Sequence, residues 1–454
     1  MRAALSSGLR RSAIVAAAFV ALVGLAAPVW AQRGGAGRLN IVRDTEIEND
    51  IRTLGTPIWR AAGLDPADME IYLAADDQLN SFVAGGQAIF LNTGLIEKAQ
   101  TPDQLIGVLA HETGHIVGGH VILAKEAMHN AGIESLLAMA AGAAAAALGG
   151  NGAPLLAASG VGERSFLRFS VAQEATADHA ALNFLDRACL SARGLLQFFE
   201  ILQSNEMLSG EREQQWGRTH PLTASRIQYV RDHVARARCS NAPDRPGSAA
   251  LLKTIQAKLH GFLDPPQTTL AAYPATDKST LARYARAIAY YRIPDLAHAL
   301  PAIDGLIRDF PDNPYYRELK GQMLFENGHV REAVAPYEAA VRLLPSAPLL
   351  RISLSQVYIE TGDRALNRRA IANLKDASRQ ESHDSQLWHF LAVAYGRDGQ
   401  MGEAALSLAE EALAGGKQKE ATREAARAEH LLQRSSDGYS RAIEITREAK
   451  DLDE

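Results

Sequence analysis

Cysteine is scarce in this sequence, with only Cys189 and Cys239 among 454 residues. One disulfide is therefore the most the chain can form, and two separate buried thiols are the alternative. Positive charge is not in excess either: the formal net charge is -5, and it becomes -8 once the three positive residues Arg2, Arg10 and Arg11 of the N-terminal segment are removed. General nucleic-acid binding is excluded on that ground. Beyond that segment no uninterrupted apolar run reaches the roughly 18 to 20 residues that a spanning helix needs, which speaks against a membrane-embedded peptidase. What remains, 47% hydrophobic and 22% charged, is the balance of an ordinary globular chain long enough for two domains or more.

The N-terminus has three parts. A basic stretch ends at Arg11, an apolar run follows from about Ala13 to Ala27, and the small-residue site Val29-Trp30-Ala31 precedes Gln32. This predicts a cleavable secretory signal over residues 1–31 and export. No cysteine follows the site, so a lipoprotein anchor has no support. An exported chain meets oxidising conditions, which permit a Cys189–Cys239 bridge without requiring it.

From Asp44 to Gly63, Ile47, Ile51, Leu54 and Ile58 recur as on one face of a helix. Short β-rich runs follow at residues 69–74, 81–84 and 87–92, with Gly85-Gly86 as the turn between the last two. Thr101-Pro102-Asp103-Gln104 then joins a capping residue, a proline at the first helical position and a glutamine at the third, which starts another helix. Residues 136–162 are dominated by Ala and Gly, and Gly149, Gly150, Gly152 and Pro154 keep them from spanning a bilayer. They read as tightly packed helices, with a mobile or membrane-touching flap as the alternative. Helical patterning returns over 172–188 and 223–237, and residues 241–247 form a linker rich in Pro and Gly.

Beyond the linker the chain repeats itself. Gly328, Gly362 and Gly399 mark equivalent turns 34 and 37 residues apart. Gly321, Leu324, Ala333, Tyr337, Ala340 and Pro345 fall on the small and large packing positions of one unit, and Leu387, Ala392, Tyr395 and Ala404 on those of another. This resembles the tetratricopeptide (TPR) repeat, with a longer and degenerate copy between the two. The expected layout is a signal at 1–31, a first domain at 32–245, a helical linker and repeats at 246–416, and a charged, solvated C-terminal helix at 417–454.

The chemistry concentrates at His111-Glu112-Thr113-Gly114-His115, inside the helix that starts near Thr101. Residues four apart share a helix face, so two imidazoles can reach one Zn²⁺ while Glu112 stands beside a bound water. The apolar lead-in Leu105, Ile106, Val108 and Leu109 buries this helix, and buried paired histidines need a partner. A third ligand is required. The position ten residues after His111 is Val121, so His120 misses the spacing of a third ligand histidine and reads as a polar residue at the helix end. Glu174 is the better candidate, four residues before Asp178 on a second helix, so that one carboxylate can bind metal while the other orients a ligand histidine. Two exposed helix carboxylates are the bland alternative.

HExxH, a later ExxxD, the preceding Asn80-Ser81-Phe82-Val83-Ala84-Gly85-Gly86 and the following Arg218-Thr219-His220-Pro221 and Arg226 together resemble the M48 family of gluzincin peptidases over residues 44 to 240. The resemblance implies an α+β zincin domain, mostly helical with a small sheet, ahead of an all-α TPR-like solenoid. It implies one zinc per chain held by His111, His115 and Glu174, with Glu112 as general base and Asp178 orienting a ligand. With the signal and repeats appended, the whole chain resembles periplasmic members that act on outer-membrane protein assembly.

Under that reading His220 and Arg226 are candidates to hold developing negative charge, or His220 takes the metal's open position in a resting state. Substrate would be an unfolded polypeptide, an outer-membrane protein among the candidates, adding as a strand to residues 87–92. The repeats would recruit a protein partner, and a peripheral membrane contact through 136–162 stays the alternative to packing there. A non-proteolytic chaperone or adaptor working through the repeats is the rival.

Overall fold

The structure, a computed structural model, describes residues 40–121, 123, 161–209 and 220–451. The signal at 1–31 and the Ala/Gly-rich stretch as far as residue 160, with the alternative of a membrane contact there, lie outside the described residues. No helix among the described residues is long and apolar enough to cross a membrane.

Helix α1 (Thr45–Ala62) begins where the Asp44 carboxylate accepts the Ile47 N–H at 2.9 Å and ends at left-handed Gly63. Its stripe of Ile47, Ile51, Leu54 and Ile58 is fully buried, each side chain contributing roughly 1.5–3 kcal/mol. The small sheet has four strands: β1 (Ile41–Val42), β2 (Glu70–Ala74), β3 (Ser81–Ala84) and β4 (Ala88–Asn92). Their order is β1-β2-β4-β3, with β2 and β4 parallel and the other pairs antiparallel. This corrects the docking strand expected at 87–92: β4 is paired on both sides, so its backbone has no edge to offer, and β3 is the edge on that side. The two residues of β1 are too few to show a pattern in the sequence.

One core joins this sheet to α1, α2 (Thr93–Lys98), α3 (Pro102–Val117), α4 (Val161–Ala188), α5 (Arg193–Ser209) and α6 (Ala224–Arg236). It also takes in Leu252, Ile255 and Leu259 of α7 (Ser248–Leu263), so the first helix beyond the linker packs into the same core as the sheet.

Helix pairs then follow: 280–292 with 296–309, 314–326 with 330–343, 348–360 with 364–377, and 385–398 with 401–414. Gly328, Gly362 and Gly399 all take left-handed φ at the turns within their pairs. The irregular middle copy is a regular helix pair, and its extra residues lie in the connection before Ser385. The charged tail holds two helices, Gln418–Leu431 and Asp437–Asp451, not one. Nor is it wholly solvated: Ala421, Ala425 and Ala428 pack against Ala405, Ala409, Ala442 and Ile445. Alanine at helical spacing makes an apolar face that a count of charges hides.

The repeats hold the start of α1. Arg43 bridges Glu48 and Glu381, Thr45 Oγ1 donates to Glu318 at 2.8 Å, and Tyr284 donates to Glu46 at 2.6 Å. Lys258 lies buried between Asp44 and Glu46 at 2.9 and 3.0 Å.

Candidate metal centre

Helix α3 is buried along nearly its whole length by Leu105, Ile106, Val108 and Leu109. Thr101 makes no side-chain capping bond; Gln104 Oε1 instead accepts the Gln100 N–H at 2.8 Å. What brings the second motif to the first is a missing side chain. A Cβ on Gly114 would lie 2.6 Å from the Ala177 carbonyl oxygen, so only glycine lets α3 and α4 approach this closely. Across that contact Glu174 and Asp178 face His111 and His115.

Four donors converge. His111 Nε2 is 3.1 Å from His115 Nε2 and 3.4 Å from His220 Nδ1. Glu174 places Oε2 3.3 Å from His111 Nε2, and Oε1 3.3 Å from His115 Nε2 and 3.1 Å from His220 Nδ1. His111, His115, Glu174 and His220 are all buried, and they form a set able to hold one metal ion. The remaining nitrogens fix the tautomers. His111 Nδ1 lies 3.0 Å from Asp178 Oδ1, and His220 Nε2 donates to the Ser81 carbonyl at 3.0 Å. Both rings therefore turn lone pairs inward. Lone pairs facing one another at 3.1–3.4 Å repel, and a cation among them removes the conflict, so the donor set fits a divalent metal.

Glu112 is fully buried and sits beside the cluster. Ser81 Oγ donates to its Oε1 at 2.6 Å, and His220 Nε2 lies 3.7 Å from the same oxygen. Its Oε2 is buried and has no hydrogen-bond partner among the described residues.

Electrostatics among these side chains follow their contacts. Burial pushes the Glu174 carboxyl up, but charge on His220 and hydrogen bonds from His111, His115 and His220 hold it well below the usual range. Burial likewise opposes ionisation of Asp178, and the Arg226 and His111 hydrogen bonds overcome it and lower its pKa. For His111, burial alone would lower the pKa; bonds to Asp178 and Glu174 raise it to about 9.

Arg226 requires a correction. Expected to hold developing charge on a substrate, it is buried and paired with the carboxylates of the site. Its Nε and Nη2 donate to Asp178 at 2.6 and 2.9 Å, and Nη1 reaches Glu174 Oε2 at 2.8 Å and the Pro221 carbonyl at 2.9 Å. The guanidinium lies over the Phe199 ring, 5.0 Å from its centroid. It fixes the two carboxylates.

Two neighbours escaped the sequence reading. Ser81 stands in the stretch before HExxH, but nothing in its spacing points at Glu112. His120, read as a helix-end residue, folds back so that its Nδ1 is 2.9 Å from His115 Nδ1. Burial, then His115, pushes the His120 pKa down to about 4. Cys189 and Cys239, at the ends of α4 and just beyond α6, are joined in a disulfide.

Residues 45–234 match Peptidase family M48. The chain is 24% identical over 372 residues to the beta-barrel assembly-enhancing protease of Escherichia coli O157:H7, covering 79% of this chain and 74% of that protein. Its counterpart in Yersinia pestis is 21% identical over the same shares. Metalloprotease LoiP of Escherichia coli (strain K12) is 28% identical over 193 residues, 42% of this chain and 72% of that protein.

Proposed function

Since residues 45–234 form a metallopeptidase domain of family M48, we propose that the protein is a zinc-dependent endopeptidase of the periplasm. It cleaves unfolded or misassembled envelope proteins, outer-membrane proteins among them, and its repeats recruit a protein partner. The observation that carries the reading is the convergence of His111, His115 and Glu174 on one point beside the buried carboxylate of Glu112. The names of the relatives at 21–24% identity support the envelope role.

Zn²⁺ held there supplies Lewis acidity toward a scissile carbonyl and lowers the pKa of water. Glu112, whose Oε1 is occupied by Ser81, takes the proton of the attacking water at Oε2 and passes it to the leaving amine. Asp178 and Arg226 keep His111 and Glu174 in place throughout.

His220 serves as a restraint in this reading. Its Nδ1 fills the fourth donor position, and its Nε2–H occupies the Ser81 carbonyl on the edge strand β3. An extended substrate pairing with β3 needs that same edge, so peptide binding and departure of His220 go together.

Four protein donors also suit a structural metal site, and this is what favours the rival, a non-proteolytic chaperone or adaptor. A structural site has no use for Glu112. Casein hydrolysis by the zinc-loaded protein separates the two: Glu112→Gln keeps its zinc and loses activity, whereas His220→Ala gains activity. Equal hydrolysis by parent and Glu112→Gln would reject the peptidase, and hydrolysis by His220→Ala no faster than by the parent would reject the restraint.

A further inference from the structure

We infer that His120 is a positioning residue, which holds His115 in the one tautomer able to bind a cation; the inference rests on the metallopeptidase reading above. The two rings meet edge-on with centroids 4.9 Å apart and their Nδ1 atoms 2.9 Å apart. Two neutral imidazole nitrogens at that distance share one proton, so one ring donates and the other accepts.

The direction matters. Were His120 the donor, His115 would accept at Nδ1 and carry its own proton on Nε2, the atom that faces His111 and Glu174. No lone pair would then point at the metal position. In the opposite direction His115 Nδ1–H donates to His120 Nδ1, and Nε2 is free to bind. His120 must then carry its proton on Nε2, which lies 3.4 Å from Thr176 Oγ1. The Thr176 hydroxyl is committed elsewhere, donating to the carbonyls of Ala172 and Gln173 at 2.9 and 2.8 Å. Its oxygen is left to accept. Proton donation therefore runs from His115 to His120 to Thr176 and on to the backbone of α4, leaving the His115 lone pair inward.

Local sequence builds this arrangement. A Cβ on Gly118 would lie 2.3 Å from His120 Nε2, inside the ring's own volume, and Gly119 has φ +63°. The two glycines end α3 and let the chain turn His120 back over it, while Gln173 Nε2 donates to the His120 carbonyl at 3.3 Å. His111 is oriented by a carboxylate, Asp178, and His115 by a neutral ring; each ligand histidine thus has its own partner.

Zinc affinity of the full chain, measured by competition with a chromophoric chelator, tests this. His120→Leu should bind zinc about 10- to 100-fold more weakly than the parent, the usual cost of losing a ligand's orienting partner. His120→Asn, whose Oδ1 accepts near the place of Nδ1, should recover most of that loss, and Gly118→Ala should behave like His120→Leu. Thermal unfolding of the metal-free proteins should not separate the Leu and Asn variants. Affinity of His120→Leu equal to the parent's would overturn the inference, as would equal losses in Leu and Asn. A parent that binds no zinc would overturn both this inference and the reading it rests on.

Discussion

Gly114 and Ala177 touch backbone to backbone, with room for no side chain between them: a Cβ on Gly114 would lie 2.6 Å from the Ala177 carbonyl oxygen. The contact sets the distance between the helix that carries the histidines and the helix that carries the carboxylates. Gly114→Ala should push them apart, costing about 1–3 kcal/mol of stability by overpacking and lowering zinc affinity at least about tenfold through displaced Glu174. Thermal unfolding together with zinc titration checks both effects, and unchanged zinc affinity would contradict the assignment.

Arg226 pairs with two buried carboxylates whose other partners are the site histidines. Arg226→Leu breaks this buried pairing and should destabilise the metal-free protein by about 3–5 kcal/mol. Arg226→Lys keeps a charge but not the paired geometry with Asp178, and should fall between Leu and parent in urea denaturation.

Much of this site is visible in the sequence, and the part that is not has a common cause. HExxH lies within one helix, and Glu174 and Asp178 within another, so local periodicity finds them. The helix pairs beyond the linker show for the same reason, since Gly328, Gly362 and Gly399 mark their turns at nearly fixed spacing. The pairing of Arg226 with Asp178 is hidden because their spacing says nothing of the contact between α4 and α6. The place of His120 is hidden because a reverse turn at Gly118-Gly119, not helical spacing, returns it to His115. The interior place of β4 and the packing of α7 into the first core are likewise set by tertiary pairing, which alternation and linker composition do not encode.

Asp50 makes stability depend on pH in an unusual direction. Burial, with Glu46 nearby, raises its pKa from 3.8 to about 8. The folded state therefore keeps a proton that the unfolded chain loses. Below the unfolded value both states are protonated, and above about 8 both are ionised. Between these limits each rise of one pH unit should remove at most about 1.4 kcal/mol of stability through this group. Urea denaturation from pH 5 to 8 should show a shallower decline for Asp50→Asn than for the parent; parallel slopes would contradict the assignment.

The Cys189–Cys239 bridge closes a loop with a sequence separation of 50. Chain entropy alone gives such a loop about 4 kcal/mol. The double variant Cys189→Ser, Cys239→Ser should lose stability on that order, and reducing agent should affect the parent but not the variant in the same denaturation experiment.

The central claim is a divalent ion shared by two separate helices, and metal counting tests it most directly. Purified full-length protein and its Glu174→Ala variant would be dialysed against the same trace zinc and measured by inductively coupled plasma mass spectrometry. The expected result is one zinc per chain in the parent and a small fraction of that in Glu174→Ala, with Glu112→Gln loaded like the parent. Equal zinc in the parent and Glu174→Ala, or none in either, would contradict the account.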